Sequence, residues 1–309
     1  MRSAPTPVPP RTVIDTDAGI DDVVALALAA RSREIDLLAI TTSYGNATLG
    51  ATTRNAREIL RLVDCSIAVL PGSDRPLVRP LVTAPETHGE SGVGYAPVPS
   101  ERAGDGVPDP EILLSVLSET AEPVTLVTLG PLTNLAHALT RDARLVRRRV
   151  ARHLGMFGNM HERGNTNRWA DFNAWCDPEA ANIVIRAALP TEMVGLDVTR
   201  RMTLTAAHVR SLADSTHRLV RWLGRALWFY VEFHRQQERL DGCVVNDVLP
   251  IGELIAPGLL GWRTFPLTID LDDGAHRGHT RERDDGTPTP VAMEVDVAGM
   301  RDLLKRIGL

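Results

Sequence analysis

Short apolar runs alternate along the chain with longer stretches of helical period. Val13 to Asp15 closes an apolar strand, and Asp22 to Ala30 follows with helical spacing. Ile35 to Thr42 is a second strand that ends in a polar run, Thr41 to Asn46. Leu49 to Val63 predicts a helix and Ile67 to Leu70 a strand. The alternation continues with a helix near Pro110 to Glu119, a strand at Pro123 to Leu129, a helix at Leu132 to Leu139 and a strand near Val150 to Met156. A helix at Asp177 to Ala187 and a strand at Glu192 to Leu196 come next, and residues 217–239 form a long helix rich in aromatic side chains. Strands alternating with helices predict βαβ units and a mostly parallel sheet. Ligands of such sheets bind outside the carboxyl ends of the strands. The fold class is α/β, with a mostly parallel, Rossmann-like central sheet flanked by helices.

No internal repeat or linker divides the chain, so residues 12–309 read as one domain behind a proline-rich tail, 1–11, expected to be disordered. Gly72 to Asp109 is a long polar stretch, and loops of that length in a compact domain are often functional. Residues 272–289 are charged and read as a surface hairpin or loop. Arg141, Arg144, Arg148 and Arg152 recur at helical spacing, which a solvated face explains better than a phosphate site.

Composition narrows the partners. The chain has 309 residues, 43% of them hydrophobic, enough for a sizeable core. A net charge of -5 and a pI near 6.0 do not suit nucleic acid or an anionic membrane. No apolar run suits a signal peptide or a membrane span, so a cytoplasmic protein is expected. Cys65, Cys176 and Cys243 are too far apart for a ligand motif and read as thiols in a reducing compartment.

The strongest chemical signal is Asp15-Thr16-Asp17-Ala18-Gly19-Ile20-Asp21-Asp22, at a strand end and a helix start. Four clustered carboxylates repel one another, and packing returns nothing. A helix cap accounts for one of them. A hard cation accounts for all, since calcium takes six to eight oxygen ligands. A capped, solvated helix start is the other reading. A second cluster runs from Gly164-Asn165 to Asp171-Phe172-Asn173 and on to Asp177-Pro178-Glu179. Asn side chains donate and accept, which suits sugar hydroxyls. The alternative is a turn capped by Asp177 with Pro178 at the first helical position. Asn246-Asp247 precedes an apolar helix and alone reads only as a cap. Leu126 to Asn134 is a buried strand running into a turn, whose end would expose free carbonyls.

Taken together, these elements resemble the inosine-uridine preferring nucleoside hydrolase family. The opening Asp-x-Asp-Pro-Gly-x-Asp-Asp stands here as residues 15–22, with Ala18 in place of proline. Thr-x-x-Gly-Asn matches Thr42 to Asn46, and His-Gly-x-x-Gly matches His88 to Gly92. Leu-Gly-Pro-Leu-Thr-Asn matches 129–134, the Gly-Asn to Asp-Pro-Glu-Ala-Ala element matches 164–181, and Arg-Gly resembles Arg277-Gly278. The resemblance implies a nucleoside hydrolase fold, a small-molecule nucleoside substrate, a homodimer or homotetramer, and Ca2+ held by Asp17, Asp22, Asp247 and the carbonyl of Leu129. It implies Asp17 as general base, and substrate contacts from Asp21, Asn46, His88, Met156, Asn165, Asp171, Asn173, Tyr230 and Asn246. The expected reaction is hydrolysis of an N-glycosidic bond to ribose and free base.

Two positions depart from that pattern. Asn246 stands where many members have the histidine that protonates the leaving base, and an amide cannot act as an acid near neutral pH. Asp171 stands in the place of a sugar-binding Glu, one methylene shorter. His234, twelve residues before Asn246, is the candidate replacement acid, against a packing histidine as the alternative. Trp169 and Trp228 are weaker candidates for stacking on a base. Two other functions compete. One is a family member that binds ribonucleosides without turnover. The other is a haloacid-dehalogenase-like phosphatase, with Asp15-x-Asp17 as nucleophile motif and Gly104-Asp105-Gly106 as its late loop.

Overall fold

The structure is a computed structural model that describes residues 8–100 and 106–309. The strands are β1 (Arg11–Thr16), β2 (Asp36–Thr42), β3 (Val69–Pro71), β4 (Val124–Thr128), β5 (Val150–Gly155), β6 (Thr191–Met193), β7 (Thr203–Thr205), β8 (Gly242–Val244), β9 (Leu260–Ile269), β10 (Thr280–Glu282) and β11 (Thr287–Val295). Nine of them form one sheet in the order β10-β9-β11-β6-β5-β4-β1-β2-β3, and β7 pairs with β8 in a separate antiparallel ribbon. All neighbours from β11 to β3 run parallel, while β9 is antiparallel to both of its partners. The α/β expectation of a mostly parallel central sheet flanked by helices holds.

Arg11, placed with the tail from sequence, opens β1 opposite Asp36. Residues 1–7 lie outside the described part, as do Gly104 and Asp105 of the phosphatase-like loop. The chain goes from β1 outward to β2 and β3, then returns to place β4, β5 and β6 on the other side of β1. The carboxyl ends of β1 and β4 therefore flank the point where the strand order reverses, and α/β sheets bind ligands at that point.

Helices cover both faces. On one, Ile20–Arg31, Leu49–Leu62 and Arg218–Glu238 pack in a single apolar cluster. On the other, Ile112–Glu119, the first part of Thr133–Arg149, and Pro178–Arg186 pack in a second. Ile20–Arg31 is buried continuously from Ile20 to Ala29, as befits a helix apolar around its circumference. The helix expected to end at Leu139 runs on to Arg149, broken at Asp142, whose carboxylate accepts the Leu145 amide at 2.9 Å. Arg141 pairs with Glu111 and Arg152 sits on β5 with Glu192, so the arginine series is no phosphate site. Of residues 272–289, the exposed loop 270–279 joins β9 to β10 as an antiparallel pair, as a surface hairpin or loop requires, while residues 283–286 cross to β11 on the other edge of β9.

Candidate active site

Below the carboxyl ends of the central strands lies a cavity of about 790 Å³. Its floor is built from β1, β4 and the Asn246-Asp247 turn. β1 delivers Asp15 and, just past its end, Asp17. The Ile20–Arg31 helix then starts at Gly19, so Asp21 and Asp22 fall in its first turn, where the helix dipole favours negative charge. Asp22 closes that start by accepting the Gly19 amide at 2.9 Å and the Thr16 hydroxyl at 2.5 Å. One carboxylate thus caps the helix, but the start is buried, which removes the solvated alternative, and three other carboxylates remain to be explained.

Asp17, Asp21, Asp22 and Asp247 are all buried. Oxygens of Asp21, Asp22 and Asp247 lie within 4.8 Å of one another. Asp17 stands outside that triad: its Oδ2 accepts the Asn46 amide at 2.8 Å, while its Oδ1 is buried with no hydrogen-bond partner among the described residues. That Oδ1 lies against the backbone after Leu129, since a Cβ built on Gly130 would stand 2.7 Å from it. Gly45, at φ +153, is equally obligatory, because any side chain there would collide with the Asp17 carboxylate. Burial, then the neighbouring carboxylates, push Asp17 and Asp247 well above the usual carboxylate range. Asp21 and Asp22 are raised by burial too, against hydrogen bonds from Asn246 and from Thr16 and Gly19. Four buried carboxyls, one with an orphaned oxygen, have no cationic side chain among them. This donor set could bind a metal ion.

The neighbouring side chains are held tightly. Asn246 donates through both its backbone and side-chain N–H groups to Asp21 Oδ2, at 3.1 and 2.9 Å. Asn46 Nδ2 reaches Asp22 at 3.0 Å. Asn173 Nδ2 donates to the carbonyls of Leu129 at 2.7 Å and Met156 at 2.8 Å, joining the ends of β4 and β5. Asp171 accepts three backbone amides, from Gly158, Asn173 and Ala174 at 2.6, 2.9 and 3.2 Å, and caps the Phe172–Cys176 helix. Burial still raises its pKa to about 6. Asn165 is exposed on the opposite rim, its Oδ1 accepting the Phe172 amide at 2.8 Å.

The far wall comes from the Arg218–Glu238 helix and the short helix Pro85–His88. His88 Nδ1 accepts the Ile20 amide at 3.1 Å, which leaves the ring proton on Nε2, and burial lowers its pKa to about 4. Its ring stands 5.1 Å from Tyr230, and Tyr230 stands 4.7 Å from His234. His234 Nδ1 meets the Tyr230 carbonyl at 2.7 Å, so the ring is oriented with Nε2 free of the backbone. Burial lowers the His234 pKa against the pull of Glu238 and Asp21.

The sequence of this wall, floor and rim matches the model of the inosine-uridine preferring nucleoside hydrolase over residues 12–302. The chain belongs to that family. It is 32% identical to an inosine-uridine preferring nucleoside hydrolase of Crithidia fasciculata, over 97% of this chain and 99% of the relative. It is 35% identical to a pyrimidine-specific ribonucleoside hydrolase of Photobacterium profundum, over 94% and 96% of the two chains. Solved structures agree. A plant nucleoside hydrolase superposes with a TM-score of 0.87 at 29% identity, covering 97% of this chain and 99% of that one. A purine-preferring ribonucleoside hydrolase from Gardnerella vaginalis gives 0.87 at 26%, covering 96% and 98%. The protein is an enzyme, a ribonucleoside hydrolase.

In this hydrolase, twelve of the fourteen residues singled out from sequence line the cavity, and Asp17 and Asp22 lie buried beside its floor. The phosphatase reading fails, since Asp15 is fully buried and held by Thr41 and by Asn134 at 2.7 Å, away from the cavity. Trp169 and Trp228 do not line the cavity either. Trp169 packs at a tilt against His276 and His279, and Trp228 lies under Arg210 on the outer side of its helix. The aromatic side chains that do face the cavity are Phe172, Trp175, Phe233 and Tyr230. Phe172 and Trp175 escaped sequence reading because a five-residue helix is too short to show a period. Beside them Arg200 clamps Glu238 through two bonds of 3.0 and 3.1 Å. Arg277 closes the structure behind Trp175, donating to the carbonyls of Trp175 and Cys176.

Proposed function

We propose that this enzyme is a calcium-dependent N-glycosidase that splits a ribonucleoside into ribose and free base. The observation that carries the reading is the orphaned Asp17 Oδ1 at the edge of a buried carboxylate cluster, on the floor of a cavity walled by asparagines on one side and aromatic rings on the other. Asp17, Asp22, Asp247 and the Leu129 carbonyl would hold the ion. Calcium supplies a positive charge that acidifies a water and favours the sugar's hydroxyls. Asp17 takes the proton of the attacking water through its free oxygen, the one buried oxygen of the cluster without a hydrogen-bond partner among the described residues. Asp21, Asn46, Asn165 and Asn173 orient the ribose, with Met156 beneath the ring and Asp171 fixing the loop that carries them. The C–N bond breaks through a ribosyl cation-like state, as in glycoside hydrolysis.

The base sits against His88, Tyr230 and His234. Asn246 cannot protonate it, and His234 takes that role from its imidazolium form. Because burial disfavours that form, the role belongs on the acid side of neutrality. Relatives of similar identity carry the names inosine-uridine preferring, pyrimidine-specific and non-specific, so family membership alone leaves the base open. The test is ribose release from a panel of ribonucleosides and their 2′-deoxy counterparts, with and without a chelator. Ribose release that depends on calcium and falls on the order of 10⁴-fold for deoxyribose supports the reading. Full activity in chelator overturns it.

A further inference from the structure

Outside the cavity, the loop between β9 and β10 brings Asp270, His276 and His279 together, with one potential ligand atom from each lying within 4.8 Å of the others. The loop is closed on itself. The Asp270 amide donates to the His279 carbonyl at 3.0 Å, Gly278 donates to the Asp270 carbonyl at 2.9 Å, and His279 donates to the His276 carbonyl at 2.9 Å. Trp169 backs both imidazoles, its ring 4.7 Å from His276 and 5.4 Å from His279. Two observations point to a ligand. His276 Nδ1 is a buried atom with no hydrogen-bond partner among the described residues. A cation already sits between the other two groups: Arg281 Nε lies 2.7 Å from Asp270 Oδ2 and 3.1 Å from His279 Nδ1.

We infer that Asp270, His276 and His279 form a second metal site, for a borderline ion of the Zn2+, Ni2+ or Cu2+ class, gated by Arg281. Two imidazoles and one carboxylate suit such ions and do not suit calcium, which takes oxygen. Three protein ligands leave a position for water, as in open zinc sites. Arg281 competes for the site, because its Nε donates to the lone pair of His279 Nδ1 and forms an ion pair with Asp270, whose buried Oδ2 has no hydrogen-bond partner among the described residues. A metal replaces one hydrogen-bonded cation by a ligated one, and the guanidinium swings out to solvent, where its side chain is already partly exposed. The site shares no residue with the carboxylate cluster, so the two ions load independently.

The experiment is a Zn2+ titration of the full chain by calorimetry in saturating Ca2+, repeated with Co2+ while following Trp169 fluorescence against a Trp169→Phe control. One Zn2+ per chain is expected to bind, and Arg281→Gln is expected to tighten it about tenfold or more. The double variant His276→Ala with His279→Ala is expected to lose this Zn2+ while binding calcium as before. Co2+ is expected to quench the Trp169 component, since its ring touches both ligands. Stoichiometric Zn2+ binding that survives in the double variant overturns the site, as does failure of both the wild type and Arg281→Gln to bind. Unchanged affinity in Arg281→Gln overturns the gating.

Discussion

At the cavity floor Asp17, Asp21, Asp22 and Asp247 are buried, the first three held by backbone and amide donors, whereas at the outer wall Gln237, Glu238 and Arg239 stand exposed at the end of one helix. The floor is assembled from strand ends at the point where sheet order reverses. Every side chain there has its position set by the sheet register and by a helix start. The wall is assembled from helix faces and the short Phe172–Cys176 segment, whose contacts are mostly ring against ring. Rigid, buried charge suits the part of a reaction common to all ribonucleosides, which is activating water and holding the sugar. An aromatic, half-exposed wall can vary its base without disturbing that chemistry, because stacking tolerates changes that a carboxylate cluster does not.

Metal removal tests the floor most severely. Stripping calcium should abolish ribose release and lower the melting temperature, since the carboxylates are left to repel. At calcium 1,000 times its Kd the stabilisation is about 4 kcal/mol. A melting temperature unmoved by chelator would mean that the cluster holds no ion. Next comes Asp17→Asn, expected to cut kcat by about 10² to 10⁴ while leaving the fold intact by circular dichroism. Wild-type turnover in that variant would remove Asp17 from the role of base.

The wall should answer differently. His234→Ala is expected to slow inosine by about 10²-fold yet leave p-nitrophenyl riboside, whose leaving group needs no proton, nearly unchanged. In the wild type, inosine turnover should rise relative to the activated riboside as pH falls toward the lowered His234 pKa. Equal losses on both substrates would show that His234 supports the wall and donates no proton.

The smallest effect expected is on the loop joining floor and rim. Asp171 has a folded pKa of about 6, raised by burial from 3.8. Its neutral form is favoured in the fold, so its contribution is fully present below pH 3.8 and is lost as pH rises through 6. The amount is about 2 to 3 kcal/mol. Asp171→Asn cannot titrate, so its stability relative to wild type should improve between pH 4 and 6, read from urea melts at each pH. A constant difference across that window would show that Asp171 is ionised in the fold.

The sequence by itself determined the carboxylate cluster of Asp15 to Asp22 at a strand end, and the resemblance to the family, not spacing, pointed to Asn46, Leu129 and Asp247; a parallel sheet brings its strand ends together whatever the loops do. The α/β alternation was legible for the same reason, since periods of two and of 3.6 show in a single chain. Tertiary structure decided what depends on which way a face turns. It sent Trp228 outward under Arg210 and Tyr230 inward, although both lie on the same helix. It grouped Asp21 with Asp22 and Asp247, leaving Asp17 apart, through a hydrogen bond from Asn246 across 225 residues. It also turned Asp171 into a helix cap. Pairings over such separations follow from packing, and spacing along the chain does not encode them.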